Sequence, residues 1–395
     1  MHPCISNQVL TVGKLGAIIN KKAKGDIAMD YLRKLKYHYR PASGWLNDPN
    51  GLVYFDGYYH VFYQNSPNFE RPFLEHMHWG HARTKDFLNW EQLPTALTPE
   101  EDYDIKGCWS GTAIVKDDTL YLFYASISYP KGHNRILETI SVAYSTDGIN
   151  FKKYEGNPVI AECPADGGPD FRDPALCCVD GKYYCVIASG HGESRTARLL
   201  LYKSEDLLHW DYVGVMCEWA ECKFAECPSF MQTDDGFLLT ASVCPIEGDP
   251  YFSVMFGDFE NDVYTIKHSA SLDRGPDQYA GQVFKDHLGR ALLITWTPGW
   301  RYQGFAERDI GCMSIPREIT LRDGKIYGYP VKELQHLLTD EDPSVQRTDN
   351  GFVIERSGRE SVVYEGEIHD LKILRDEYIV EVFVNGGTDI YTALL

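Results

Sequence analysis

A short aromatic hairpin that returns at a fixed interval constrains this chain more than any other feature. In WLNDPNGLVYFDGYYHVFYQ, Trp45 to Gln64, Leu52 to Phe55 read as one strand, Asp56-Gly57 as a tight turn and Tyr58 to Gln64 as the returning strand. Asp118-Thr119-Leu120-Tyr121-Leu122-Phe123 repeats the pattern, as do Asp180-Gly181-Lys182-Tyr183-Tyr184-Cys185-Val186 and Asp235-Gly236-Phe237-Leu238-Leu239-Thr240. Gly289-Arg290-Ala291-Leu292-Leu293-Ile294 is a weaker fifth copy. The interval, roughly 55 to 60 residues, lies in the range of propellers and arrays. A second element keeps the same phase. Thr84-Lys85-Asp86-Phe87-Leu88-Asn89-Trp90 matches Ser145-Thr146-Asp147-Gly148-Ile149-Asn150-Phe151 and Ser204-Glu205-Asp206-Leu207-Leu208-His209-Trp210. Each is a polar turn followed by an aromatic able to lock one repeat onto the next. Two elements in phase favour true repetition over a β-sandwich with coincidental spacing. The expectation is an all-β fold: a five-bladed β-propeller of about four strands per blade.

The repeats set the expected boundaries. Residues 1–35 form an N-terminal extension, with a short helix expected around Ala28 to Leu35; 36–338 are the propeller; 339–395 are a shortened C-terminal β module. Four or so alternating strands are expected in that tail, which has too little core to stand alone and should pack on the propeller. With 395 residues, 44% of them hydrophobic, the chain can bury a large core. The mildly apolar run from Val9 to Asn20 is interrupted by Lys14 and lacks a cleavage site, so no signal peptide is expected. A net charge of −19 argues against nucleic acid or anionic membrane as partner and suits a neutral small substrate. The 11 cysteines are an odd number, and Cys217, Cys222 and Cys227 lack zinc-site spacing. Reduced, idle thiols in a cytoplasmic protein are the simpler reading, with no metal site. Oligomeric state, including a homo-oligomer, is left open.

What precedes each hairpin carries the chemistry. Asp48 lies before the first, Trp109-Ser110-Gly111 before the second, and Phe171-Arg172-Asp173-Pro174 before the third. Ala225-Glu226-Cys227-Pro228 precedes the fourth, and Gln278-Tyr279-Ala280-Gly281-Gln282 the fifth. Equivalent positions in a propeller lie on a ring about its axis, so Asp48, Asp173 and Glu226 should face one another at one mouth. Glycosidic cleavage uses one carboxylate at the oxocarbenium-like carbon and one carboxylic acid at the leaving oxygen. Clustered like charges raise the pKa of one member, and a third carboxylate can hold sugar hydroxyls. Trp45, Trp79 and Trp109 suit the apolar faces of a sugar ring. Alone, Asn-Asp-Pro-Asn-Gly is a turn and Arg172-Asp173 a structural ion pair; recurrence in phase argues for more. Asp166 and Asp170, beside Gly-Gly-Pro, read as loop residues.

These motifs resemble glycoside hydrolase family 32, the fructose-releasing enzymes that include invertases, sucrose-6-phosphate hydrolases and fructanases. The matching residues are Trp45-Leu46-Asn47-Asp48-Pro49-Asn50-Gly51, Arg172-Asp173-Pro174 and Glu226-Cys227-Pro228. Phe62-Tyr63-Gln64, His78-Trp79-Gly80-His81-Ala82, Trp109-Ser110-Gly111, Pro316-Arg317-Glu318 and, in the tail, Glu381-Val382-Phe383-Val384-Asn385 support them. The resemblance implies a retaining β-fructofuranosidase acting on sucrose, sucrose 6-phosphate or short fructans. Asp48 would be the nucleophile, Glu226 the general acid/base and Asp173 the transition-state stabiliser. Asn47, Gln64, Trp79, Trp109, Ser110 and Arg172 would line the fructose pocket, with no cofactor. The tail is shorter than the family's C-terminal module, and Ile140 stands where the family often has glutamine. A fructosyltransferase using the same triad, or a carbohydrate-binding propeller without catalysis, are the alternatives. The leaving group is open; Arg71, His76 and Arg301 are candidate cations for a phosphate.

Overall fold

In the computed structural model, residues 35–67, 76–129, 136–190, 195–297 and 311–395 are described. Most of the helix expected around Ala28 to Leu35 and the candidate cations Arg71 and Arg301 lie outside them. The described residues are all-β apart from the 3-10 turn Lys332–Leu337. No described helix is long and apolar enough to cross a membrane.

Five antiparallel sheets follow one another along the chain; in the first four every strand pairs with the next, and in the fifth Ala291–Thr297 pairs with both Cys312–Met313 and Arg317–Arg322. They open with strands Trp45–Phe55, Gly107–Lys116, Phe171–Val179, Cys222–Thr233 and Tyr279–Lys285. None of these sheets closes on itself. Each opening strand packs against the opening strand of the next sheet, and Tyr279–Lys285 returns to Trp45–Phe55. Shared cores join neighbours. Leu122 and Phe62 pack between the first and second sheets, Phe123 and Leu200 between the second and third, and Val186 and Leu239 between the third and fourth.

The hairpin turns follow from local chemistry. Asp56-Gly57, Asp117-Asp118 and Asp180-Gly181 all have both residues at positive φ, which a two-residue turn between right-twisted strands requires. The second repeated element is an Asx turn. Asp86 Oδ1 accepts the N–H groups of Leu88 and Asn89; Asp147 and Asp206 do the same two and three residues on. The aromatic after each turn packs back on an earlier element. Trp210 meets Phe123 edge-on at 5.9 Å, Phe151 meets Phe62 at 5.5 Å, and Trp90 meets Tyr39 at 4.8 Å.

One expectation changes. The polar knot Asn47-Asp48-Pro49-Asn50-Gly51 is not a turn before the hairpin but lies inside the 11-residue strand Trp45–Phe55. Two register shifts let that strand carry it.

The tail holds six strands in two three-stranded sheets, more than the four or so expected. Phe352, Tyr364, Ile373, Val382 and Tyr391 give it a core of its own, and it also packs on the body. Fully buried Arg317 pairs with Asp273 at 2.6 Å and with Glu381 at 2.9 Å. Thr392 donates to the same Asp273 oxygen at 2.6 Å. Buried His38 bridges Asp376 and Glu381 at 2.9 and 3.0 Å. The Pro316-Arg317-Glu318 motif and the tail motif at Glu381 thus meet in one ion network. Removing one partner would strand a buried charge, at a cost of about 3–5 kcal/mol.

Candidate active site

Each of the five opening strands carries a β-bulge that falls on its motif. Two residues oppose one across the ladder: Asn47-Asp48 against Gln64, Trp109-Ser110 against Ala125, and Asp173-Pro174 against Ile187. Cys227-Pro228 oppose Ala241, and Ala280-Gly281 oppose Thr295. A bulge re-aims side chains and frees an N–H, which is where a sheet tolerates proline. Asp173, Cys227 and Ala280 take φ of 58°, 49° and 52°, a backbone strain that collects at functional sites. Gly111 admits no side chain, because a Cβ there would stand 1.9 Å from the Phe123 carbonyl oxygen.

The bulges bring the three acids together. Ser110 Oγ donates to Asp48 Oδ2 at 2.7 Å, and Asn47 Nδ2 donates to Asp48 Oδ1 at 3.1 Å. The Cys227 thiol points at Asp48 Oδ2, 3.5 Å away, and at Asp173 Oδ2, 3.7 Å away. The Cys227 N–H donates to the same Asp173 oxygen at 3.0 Å. Glu226, next to Cys227, is held through both oxygens. Arg172 Nη2 donates to Oε1 at 2.8 Å and the Tyr279 hydroxyl to Oε2 at 2.5 Å.

Burial dominates the electrostatics. It pushes Asp48 up to about 6, helped by the negative charge of Glu226 and opposed by the hydrogen bonds from Ser110, Asn47 and Cys227. Burial also lifts Asp173 to about 7; Arg172 opposes the rise, and Glu226 and Asp48 reinforce it. Asp48 is therefore mostly ionised at pH 7.

The remaining expected residues divide. Asn47, Ser110 and Arg172 touch the acids directly. Gln64 is buried behind Asp48 and donates to the Cys108 carbonyl at 3.1 Å. Trp79 is fully buried and donates to the Trp109 carbonyl at 2.9 Å, so its ring braces Trp109 and shows no exposed face. Trp45 is buried too and positions Asn47 through a 2.8 Å bond from Nε1 to Oδ1. Trp109 is half-buried beside Ser110. His76 uses its backbone N–H on the Lys106 carbonyl. Among the described residues no group of three or more His, Cys, Asp or Glu could hold a metal ion.

Sequence reasoning gave no role to Tyr279, Glu138, Asp170 or the Cys227 thiol. Tyr279 sits at the in-phase position of the fifth repeat, a signal that pointed to it. Asp170, read as a loop residue, pairs with Arg172 at 2.9 Å, and Glu138 accepts from Arg172 at 3.3 Å.

The model of the glycosyl hydrolases family 32 N-terminal domain matches residues 38–330, most of the chain. The chain belongs to glycosyl hydrolase family 32. The sucrose-6-phosphate hydrolase of Zymomonas mobilis is 34% identical over 327 residues, covering 77% of this chain and 63% of that protein. The raffinose invertase of Escherichia coli is 33% identical over 76% of this chain and 65% of its own length. The chain thus spans less than two thirds of these relatives. Among solved structures, the family 32 β-fructofuranosidase of Bombyx mori superposes with a TM-score of 0.79 at 27% identity, covering 94% of this chain and 92% of that one.

Proposed function

We propose that this family 32 chain is a retaining β-fructofuranosidase. It releases fructose from the terminal non-reducing β-D-fructofuranosyl unit of sucrose, sucrose 6-phosphate or a short fructo-oligosaccharide. The observation that carries the reading is the convergence of Asp48, Asp173 and Glu226 on the Cys227 bulge, with Arg172 and Tyr279 clamping Glu226. The relatives are named for sucrose 6-phosphate and raffinose cleavage, and a mutant of the Bombyx mori enzyme is described in complex with sucrose.

The chemistry proceeds in two displacements. An Asp48 oxygen attacks C2 of the fructosyl unit while the bond from C2 to the leaving oxygen breaks. Glu226 delivers its proton to that oxygen, which leaves as an alcohol. Glu226, now a carboxylate, takes a proton from water as the water attacks C2; the bond to Asp48 breaks and fructose departs. Asp173, between the two, accepts hydrogen bonds from fructose hydroxyls as positive charge develops at C2. Two carboxylates and a third partner suffice, so no metal or cofactor is called for.

In the same reading the five sheets are the blades of a propeller over 36–338, and 339–395 is a shortened form of the family's C-terminal module. The packing of each opening strand on the next supports the first part. Free thiols at described positions such as Cys108, Cys177, Cys185 and Cys227 fit a cytoplasmic setting.

The test is fructose release from sucrose, sucrose 6-phosphate, 1-kestose and inulin, with oligosaccharide products analysed at high sucrose to separate transfer from hydrolysis. Wild-type protein should release fructose, and a folded Asp48→Asn variant should not. Turnover at wild-type rate in that variant, or sugar binding without release, would overturn the reading.

A further inference from the structure

Arg172 serves more acids than it can neutralise. Its Nη2 holds Glu226 at 2.8 Å, while Nη1 is divided between Asp170 at 2.9 Å and Glu138 at 3.3 Å. Asp173 adds a fourth negative field, and the Phe224 ring lies 5.9 Å from the guanidinium carbon. Glu226 in turn faces Arg172, the Tyr279 hydroxyl, and the charges of Asp48 and Asp173. Glu138 comes from a different sheet, at the start of strand Leu137–Ser145, and its side chain is only 8% exposed. Its second oxygen accepts the N–H of Phe171 at 2.5 Å, one residue before Arg172.

A general acid poses a conflict. An arginine given wholly to Glu226 would hold it as a carboxylate and leave it no proton to donate. An arginine absent would leave Tyr279 alone to place it. We propose that Glu138 is a positioning residue resolving this conflict: by sharing Arg172 with Glu226, it weakens the guanidinium's hold on the Glu226 charge while keeping Glu226 in place. The inference rests on the fructosidase reading and names Glu138 as a part of the machinery that touches no substrate.

Glu138→Gln separates this role from a purely structural one. The amide oxygen still accepts from Phe171, so the backbone brace survives, but the charge competing for Arg172 is gone. The basic limb of the pH profile of kcat/KM should then move to lower pH, because the guanidinium is left free to favour the Glu226 carboxylate. Asp170→Asn should shift it the same way but less, because the Asp170 side chain is 23% exposed and water screens it. Thermal melting confirms that each variant is folded. A folded Glu138→Gln enzyme with an unmoved basic limb overturns the proposal while leaving the fructosidase reading intact. Wild-type protein that releases fructose from none of the four sugars overturns both.

Discussion

Ser110→Ala should cripple the protein in mild acid and spare it in mild base. The Ser110 hydroxyl makes the shortest bond to Asp48, 2.7 Å to Oδ2, and it favours the ionised carboxylate. A hydrogen bond to a charged group contributes about 1.5–3 kcal/mol, and each pKa unit corresponds to about 1.4 kcal/mol. Losing the hydroxyl should therefore raise Asp48 by about one to two units. From a starting value of about 6, half of the wild-type sites are ionised at pH 6. In the variant roughly a tenth to a hundredth would be, a loss of about five- to fiftyfold in kcat/KM. Near pH 9 Asp48 is ionised in both proteins and the loss should shrink to within about twofold. The assay is fructose release from sucrose across pH 5–9, read as the ratio of variant to wild type, which cancels the limb set by the acid. A ratio that stays flat over that range would refute the assignment of Asp48 as the group that must lose its proton.

Two further outcomes concern stability. Asp173 is raised to about 7 in the fold, so its ionisation costs the native state stability as pH rises from about 4 to 7. A folded Asp173→Asn variant should lack activity yet melt a few degrees above wild type at pH 8, the advantage vanishing below pH 4; equal melting at pH 8 would contradict the strain read at this site. At His38, burial alone would depress the pKa, but hydrogen bonds and charge from Asp376 and Glu381 overcome it and raise it to about 9. A raised histidine stabilises the fold below its unfolded value near 6.5 and loses that stabilisation as pH passes 9, on the order of 3 kcal/mol. The melting temperature should therefore fall between pH 7 and 10, and His38→Ala, less stable at pH 7, should show a shallower fall.

The sequence displayed the parts of this molecule that are local. Asp-Gly at a hairpin and Asp followed by two backbone donors are chemistry confined to four residues, so turns and Asx loops were legible. The three acids were legible because they recur in phase. The bulges were not, since Asn47-Asp48-Pro49-Asn50-Gly51 has the composition of a turn and only pairing with the next strand shows it to be a distorted strand. Tail and body are joined by contacts more than 300 residues apart, such as His38 with Asp376, and no local pattern announces those. The contact of Glu138 with Arg172 was hidden for the same reason: it comes from a neighbouring sheet. Trp79 looked like a sugar platform because tryptophan often is one, yet close packing around Gly51 and Phe62 leaves it no exposed face.

The most direct test of the central claim uses Glu226→Gln with β-fructosyl fluoride, whose leaving group needs no proton. The first displacement should proceed and the second, deprived of its base, should stall. Acid quenching and peptide mass analysis should then find one added fructosyl unit on the peptide carrying Asp48. An adduct on any other residue, or direct hydrolysis with inverted stereochemistry at C2, would contradict a nucleophile at Asp48.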